Sequence, residues 1–126
     1  MEFINGAKGA PKPVGAYSQA VEVGGLVFLS GQVGLDPVSG ALVPGGLEAQ
    51  CRQVFQNLSA VLEEAGTNAS RIVMTTIFLA DMADFKAVNS LYATFVNEQF
   101  PPARQTVAVK DLPLGALIEI SVIAAV

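Results

Sequence analysis

Two apolar, β-branched runs near the C-terminus, residues 101–109 and 118–126, each carry a single ion. Arg104 lies in the first and Glu119 in the second. Both runs read as strands that seek burial, and an unpaired ion taken out of water costs several kcal/mol or more. The guanidinium and the carboxylate must therefore find each other, find neighbours, or meet a ligand. Any fold for this chain has to provide one of these outcomes.

The rest of the chain limits the options. Its 126 residues suffice for one domain, expected to span residues 1–126, with a hydrophobic core. Charged residues make up 14% of the sequence, against roughly 25% in an average soluble domain. So little charge on a small surface predicts that much of that surface is covered in an oligomer. With a net charge of −4 there is no basic stripe, so nucleic acid is not an expected partner. There is no histidine and one cysteine, which excludes His-based triads, His-ligated metals and an intrachain disulfide. Residues 1–6 have neither a basic stretch nor a long apolar stretch, so no secretory leader is expected. No run is long enough to span a membrane, and a cytoplasmic location is expected.

Periodicity orders the elements. Residues 17–23 and 26–30 read as a β-hairpin closed by Gly24-Gly25, a pair suited to a tight turn with positive φ. Turn formers cluster at 36–40. From Leu47 the spacing becomes helical, with Cys51, Val54, Leu58, Val61 and Leu62 on one stripe and Gly66 as the stop. Cys51 on that stripe reads as inert packing. Residues 72–79 form a nearly continuous apolar strand. A second helix starts near Asp84, carries Phe85, Val88, Tyr92, Phe95 and Val96, and stops before Pro101-Pro102. The order β-β-α-β-α-β-β predicts an α+β domain: one mixed sheet, two helices on one face, and an opposite face that needs a partner.

Strand alternation puts Arg104 with Thr106 on one face of its run and Glu119 with Ser121 on one face of the other. Brought close, these mixed faces would build a small polar site in an apolar sheet. A structural Arg–Glu pair is the alternative. Asn89 falls on the apolar stripe of the second helix, where a buried amide must be satisfied, by a loop backbone or by a site. Tyr17 and the Ser30-Gly31-Gln32 turn are weak signals when taken alone.

Taken together, Gly15-Ala16-Tyr17-Ser18-Gln19, Ser30-Gly31-Gln32, Phe78-Leu79-Ala80-Asp81-Met82 with Asn89, Pro102-Ala103-Arg104, Leu112-Pro113 and Ile118-Glu119-Ile120 resemble the Rid (reactive intermediate deaminase, YjgF) family over nearly the whole chain. The resemblance implies a chorismate-mutase-like α+β fold and a homotrimeric barrel with sites between subunits. For the RidA-like branch it implies hydrolysis of 2-aminoacrylate or 2-iminobutanoate to 2-keto acids and ammonia, with no metal or organic cofactor. Arg104 then binds the substrate carboxylate with the backbone of Gly31 assisting, and Glu119 holds the water. Tyr17, Ser30, Asn89 and Thr106 then line the substrate site, Thr106 chiefly through its backbone. The chain departs from the family at Ala16, where proline is common, and at Thr106, where some members carry cysteine. The alternative reading is a regulatory trimer that binds 2-keto or amino acids without turnover. An RNA-directed activity fits the acidic, histidine-free composition poorly.

Overall fold

A computed structural model describes residues 1–126. Its framework is a seven-stranded mixed sheet. The strands are β1 (Glu2–Ile4), β2 (Ala20–Val23), β3 (Leu26–Leu29), β4 (Gln32–Val33), β5 (Ile72–Leu79), β6 (Ala103–Ala108) and β7 (Ile118–Ala125). They lie in the order β1-β2-β3-β7-β5-β6, with β4 also paired to β7. Only β5 and β6 are parallel, and the helix between them supplies the crossover such a pair requires. The expected hairpin is β2–β3, turning at Gly24 and Gly25 with φ of 60° and 81°. The strand begins at Ala20, so Tyr17 precedes it and does not open it as the sequence predicts. β1 and β4 are additions too short for alternation to reveal.

Helices α1 (Gly46–Glu64) and α2 (Phe85–Tyr92) cover one face. β7 shows the consequence: Ile118, Ile120, Val122 and Ala124 are buried, and the residues between them are half-buried. The core joins these side chains to Val54, Leu58, Val61 and Leu62 of α1 and to Val88 and Tyr92 of α2. The apolar stripe of α2 runs on past its last helical turn, and Phe95 stacks on Phe55 with ring centroids 4.5 Å apart. Cys51 is fully buried, and desolvation pushes its thiol up to about 12, in keeping with a packing role.

Two buried amides tie α1 to the sheet. Asn57 donates to the carbonyls of Val33 (3.3 Å) and Leu35 (2.9 Å) and accepts from Gln53 (2.9 Å). Gln50 accepts from the amide of Leu117 at 2.9 Å. These bonds fix the segment after β4, which carries one wall of the candidate site. The opposite sheet face has no cover in the protomer. Phe3, Phe28 and Val107 lie on it, 62%, 40% and 46% exposed. No helix is long and apolar enough to cross a membrane.

Asn57→Leu keeps the branched shape but leaves the Leu35 carbonyl without its donor and the Val33 carbonyl with only the Leu35 amide, so stability should fall by about 1–3 kcal/mol. The urea midpoint should shift down at constant slope.

Candidate active site

The polar strand residues do not meet within one protomer. β6 and β7 are not neighbours, because β5 runs between them. Arg104 pairs with Thr75, whereas Glu119 pairs with Phe78, three residues further along β5. Side chains three apart on a strand point to opposite faces. The guanidinium therefore lies on the helix-covered face and the carboxylate on the open one. This corrects the expectation of one polar site built from the mixed faces of both strands. Nor do Arg104 and Glu119 pair within the protomer, whose ion pair is Arg52–Glu48 on the exposed side of α1.

Helix α2 builds the guanidinium half. Arg104 Nη1 donates to Asn89 Oδ1 at 2.7 Å. The guanidinium carbon lies 5.0 Å from the Tyr92 ring centroid and 5.6 Å from that of Phe85, within cation–π range. Tyr92 is anchored in turn by its hydroxyl, which donates to Thr75 Oγ1 at 2.9 Å. Burial raises the Tyr92 pKa despite that bond and the neighbouring cation, so the phenol stays protonated. Asn89 is exposed, so it is no buried tie to a loop; it holds one side of the guanidinium. A cavity of about 410 Å³ opens here, with Glu98, Pro101 and Pro102 on its far wall. No carboxylate pairs with Arg104, which leaves its remaining donors for an anion. Thr106 shares this face, and its buried Oγ1 has no hydrogen-bond partner.

The carboxylate half lies elsewhere. Glu119, Tyr17, Gly31 and Gln32 line a second cavity of about 330 Å³, whose other walls include Val14, Leu35 and Leu114. Burial alone raises the Glu119 pKa, and no cation offsets it. Gly31 lets the Glu119 carboxylate lie against it, since a Cβ there would lie 2.7 Å from Glu119 Oε2 and 3.0 Å from its Cδ and the side chain would have to move. Gln19 holds the loop that carries Tyr17. Its amide accepts from Ala7 N at 3.0 Å and donates to the carbonyls of Ala7 and Pro11 at 3.1 Å each. Ser30 lines neither cavity, and its hydroxyl donates to the carbonyl of Ser18 at 2.6 Å. The sequence candidates thus divide: Arg104 with Asn89 in one cavity, Glu119 with Tyr17 and Gly31 in the other. The sequence reading missed Phe85 and Tyr92 as supports because helical spacing marks them only as core.

Comparison with known proteins shows the family and the fold. The family model for endoribonuclease L-PSP matches residues 7–126. The chain belongs to the Rid (YjgF) family. A RutC family protein of Aquifex aeolicus is 49% identical over 116 residues, covering 91% of this chain and 92% of that one. The mouse protein named 2-iminobutanoate/2-iminopropanoate deaminase is 47% identical over 115 residues, covering 91% of this chain and 84% of its own. The crystal structure of YyfA, a Rid family protein of Yersinia pestis, superposes with a TM-score of 0.93 at 45% identity, covering 98% of both chains. The mixed sheet with its two helices is thus the family's α+β fold.

Gly31→Ala should leave the fold intact and displace the Glu119 carboxylate, the flexible partner in that clash. Carboxyl-carbon NMR should then show Glu119 titrating closer to the ordinary carboxylate range than in the parent protein.

Proposed function

We propose that the protein is a cofactor-independent deaminase that hydrolyses small 2-imino acids, of the 2-iminobutanoate or 2-aminoacrylate type, to 2-keto acids and ammonia. The observation that carries this reading is the pair of unpartnered ions, a braced guanidinium on one sheet face and a half-buried carboxylate on the other. The mouse relative's name supports the reaction class.

The chemistry asks for little more than these groups. Arg104 binds the substrate carboxylate through its free donors, with its plane already set by Tyr92, Phe85 and Asn89. Glu119 accepts a proton from water as the oxygen adds to the carbon of the protonated imine, giving a neutral carbinolamine. Glu119 returns that proton to the nitrogen, the C–N bond breaks as the C=O bond forms, the hydroxyl proton passes to Glu119 and on to solvent, and keto acid and ammonia leave. The backbone of Thr106, two residues beyond Arg104 on β6, is a further substrate contact on the guanidinium side.

Because Arg104 and Glu119 face opposite ways, one centre takes them from two copies of the chain. The bare apolar sheet face, bearing Phe3, Phe28 and Val107, supports an assembly in which sheets pack on one another. We take this to be a homotrimer with sites between subunits, acting in the cytoplasm. Binding of keto acids without turnover uses the same groups, and the imine assay separates the two readings.

Ammonia release from an imine generated in situ should be accelerated by the parent protein. Arg104→Ala should lower kcat/KM by about 30- to 1000-fold, the equivalent of about 2–4 kcal/mol for a lost charged contact. Glu119→Gln should be similarly impaired. Co-refolding the two inactive variants should restore a substantial share of activity, because some sites then receive Arg104 from one copy and Glu119 from another. A mixture no better than its parts would show that the site is not shared.

The pH dependence follows from Glu119. The folded state holds its proton more tightly than the unfolded chain does, so its contribution to stability is full at low pH and is lost as pH rises through the folded pKa. Activity needs the ionised form and should rise over that same window, above the ordinary carboxylate range. Glu119→Gln should abolish both trends, as read by thermal melts and by the kcat/KM profile.

A further inference from the structure

Leu114 is the chain's non-glycine residue with positive φ, at φ 60° and ψ 19°. A left-handed backbone on a branched L-residue costs about 1–2 kcal/mol. The side chain recovers little of that in the protomer, being 68% exposed. The turn itself does not require leucine. It is closed by Gly115 N donating to the carbonyl of Leu112 (3.3 Å) and Ala116 N donating to that of Pro113 (3.0 Å), and glycine at position 114 would form the same bonds without strain. Strain kept against the interest of folding points to a role at a site.

The site is adjacent. Leu114 and Pro113 form part of the wall of the cavity that holds Glu119, and Val14, 93% exposed, lines it as well. Of the polar groups there, the Gln19 amide is fully engaged and Glu119 is set against Gly31, while Lys12, Tyr17 and Gln32 line other parts of the cavity. A 2-imino acid offers three substituents on its reacting carbon, and an apolar wall suits only the side chain. The volume, about 330 Å³, is at the small end for ligand cavities, yet a three-carbon imino acid underfills it.

We infer that Leu114, with Val14 and Pro113, forms the subsite for the substrate side chain and extends the substrate range beyond the one- and two-carbon side chains named above to aliphatic ones of three or more carbons, which it turns over in preference to the alanine-type imine. This inference rests on the imine-hydrolase reading above. Lys12 lines the same cavity and is the reason to include an acidic side chain in the test.

The experiment uses imines made in situ by amino-acid oxidases from leucine, alanine and glutamate, with the residual imine trapped by semicarbazide. The full-length protein should favour the leucine-derived imine over the alanine-derived one by about 10-fold or more in kcat/KM, the effect of added methylenes in an apolar pocket. Leu114→Gly should lose most of that preference through KM. It should keep its rate on the alanine-derived imine within about twofold and hold or raise its melting temperature, because glycine relieves the turn. Leu114→Met should restore the preference. Equal activity of the parent protein on the leucine and alanine imines, preference for the glutamate-derived imine, or an equal loss on all substrates in Leu114→Gly would overturn the inference while the hydrolase reading stands. A smaller assembly in Leu114→Gly by light scattering would assign the residue to an interface and also overturn it. A parent protein inactive on every imine would remove both.

Discussion

The register of β5 against its two neighbours decides what this protein can do. β5 is the strand to which both charged strands are hydrogen-bonded, parallel on one side and antiparallel on the other. Its pairing of Thr75 with Arg104 and of Phe78 with Glu119 sends the two ions to opposite surfaces. A slip of one residue on either side would turn that strand's whole side-chain set over and bring an ion into the wrong environment. The core fixes the β7 side of that register. Ile77, Leu79, Ile118 and Ile120 are buried together, and a one-residue slip of β7 would take Ile118 and Ile120 out of the core.

Much of this was legible in the chain. The stripe of α1 is buried at Cys51, Val54, Leu58, Val61 and Leu62, where helical spacing puts it. The alternation of β7 is equally clear in the burial of every second residue. Two buried polar residues on α1, Gln50 and Asn57, escaped notice because their partners are backbone groups far along the chain. Periodicity carries no record of such bonds. Family motifs pointed to Arg104, Glu119, Tyr17 and Asn89, but their division between two cavities was not legible. Alternation gives the phase within a strand. The phase between strands that are not neighbours depends on the strand separating them, here on Thr75 and Phe78 of β5.

The two halves are prepared by different physics. The guanidinium is held by directional contacts, an amide oxygen and two aromatic faces, and it stays accessible. The carboxylate is prepared by exclusion: Gly31 allows it to lie against the backbone, and the loss of water there favours its protonated form. A cation that must stay charged and a carboxylate that must exchange a proton call for different surroundings. Placing them on separate faces of one sheet lets each have its own.

Helix α2 is more than a lid over the core. Asn89 and the two aromatic rings that hold the guanidinium all belong to it, and Val88 beneath them is packed into the interior. The helix therefore acts as a lever arm whose fulcrum is the hydrophobic packing below. A misplacement of about 1 Å at a positioned group can cost about 100-fold in rate. Drift in the interior under α2 would be transmitted to the anion-binding group, so a change at a buried position such as Val88, which lines neither cavity, would still be felt there.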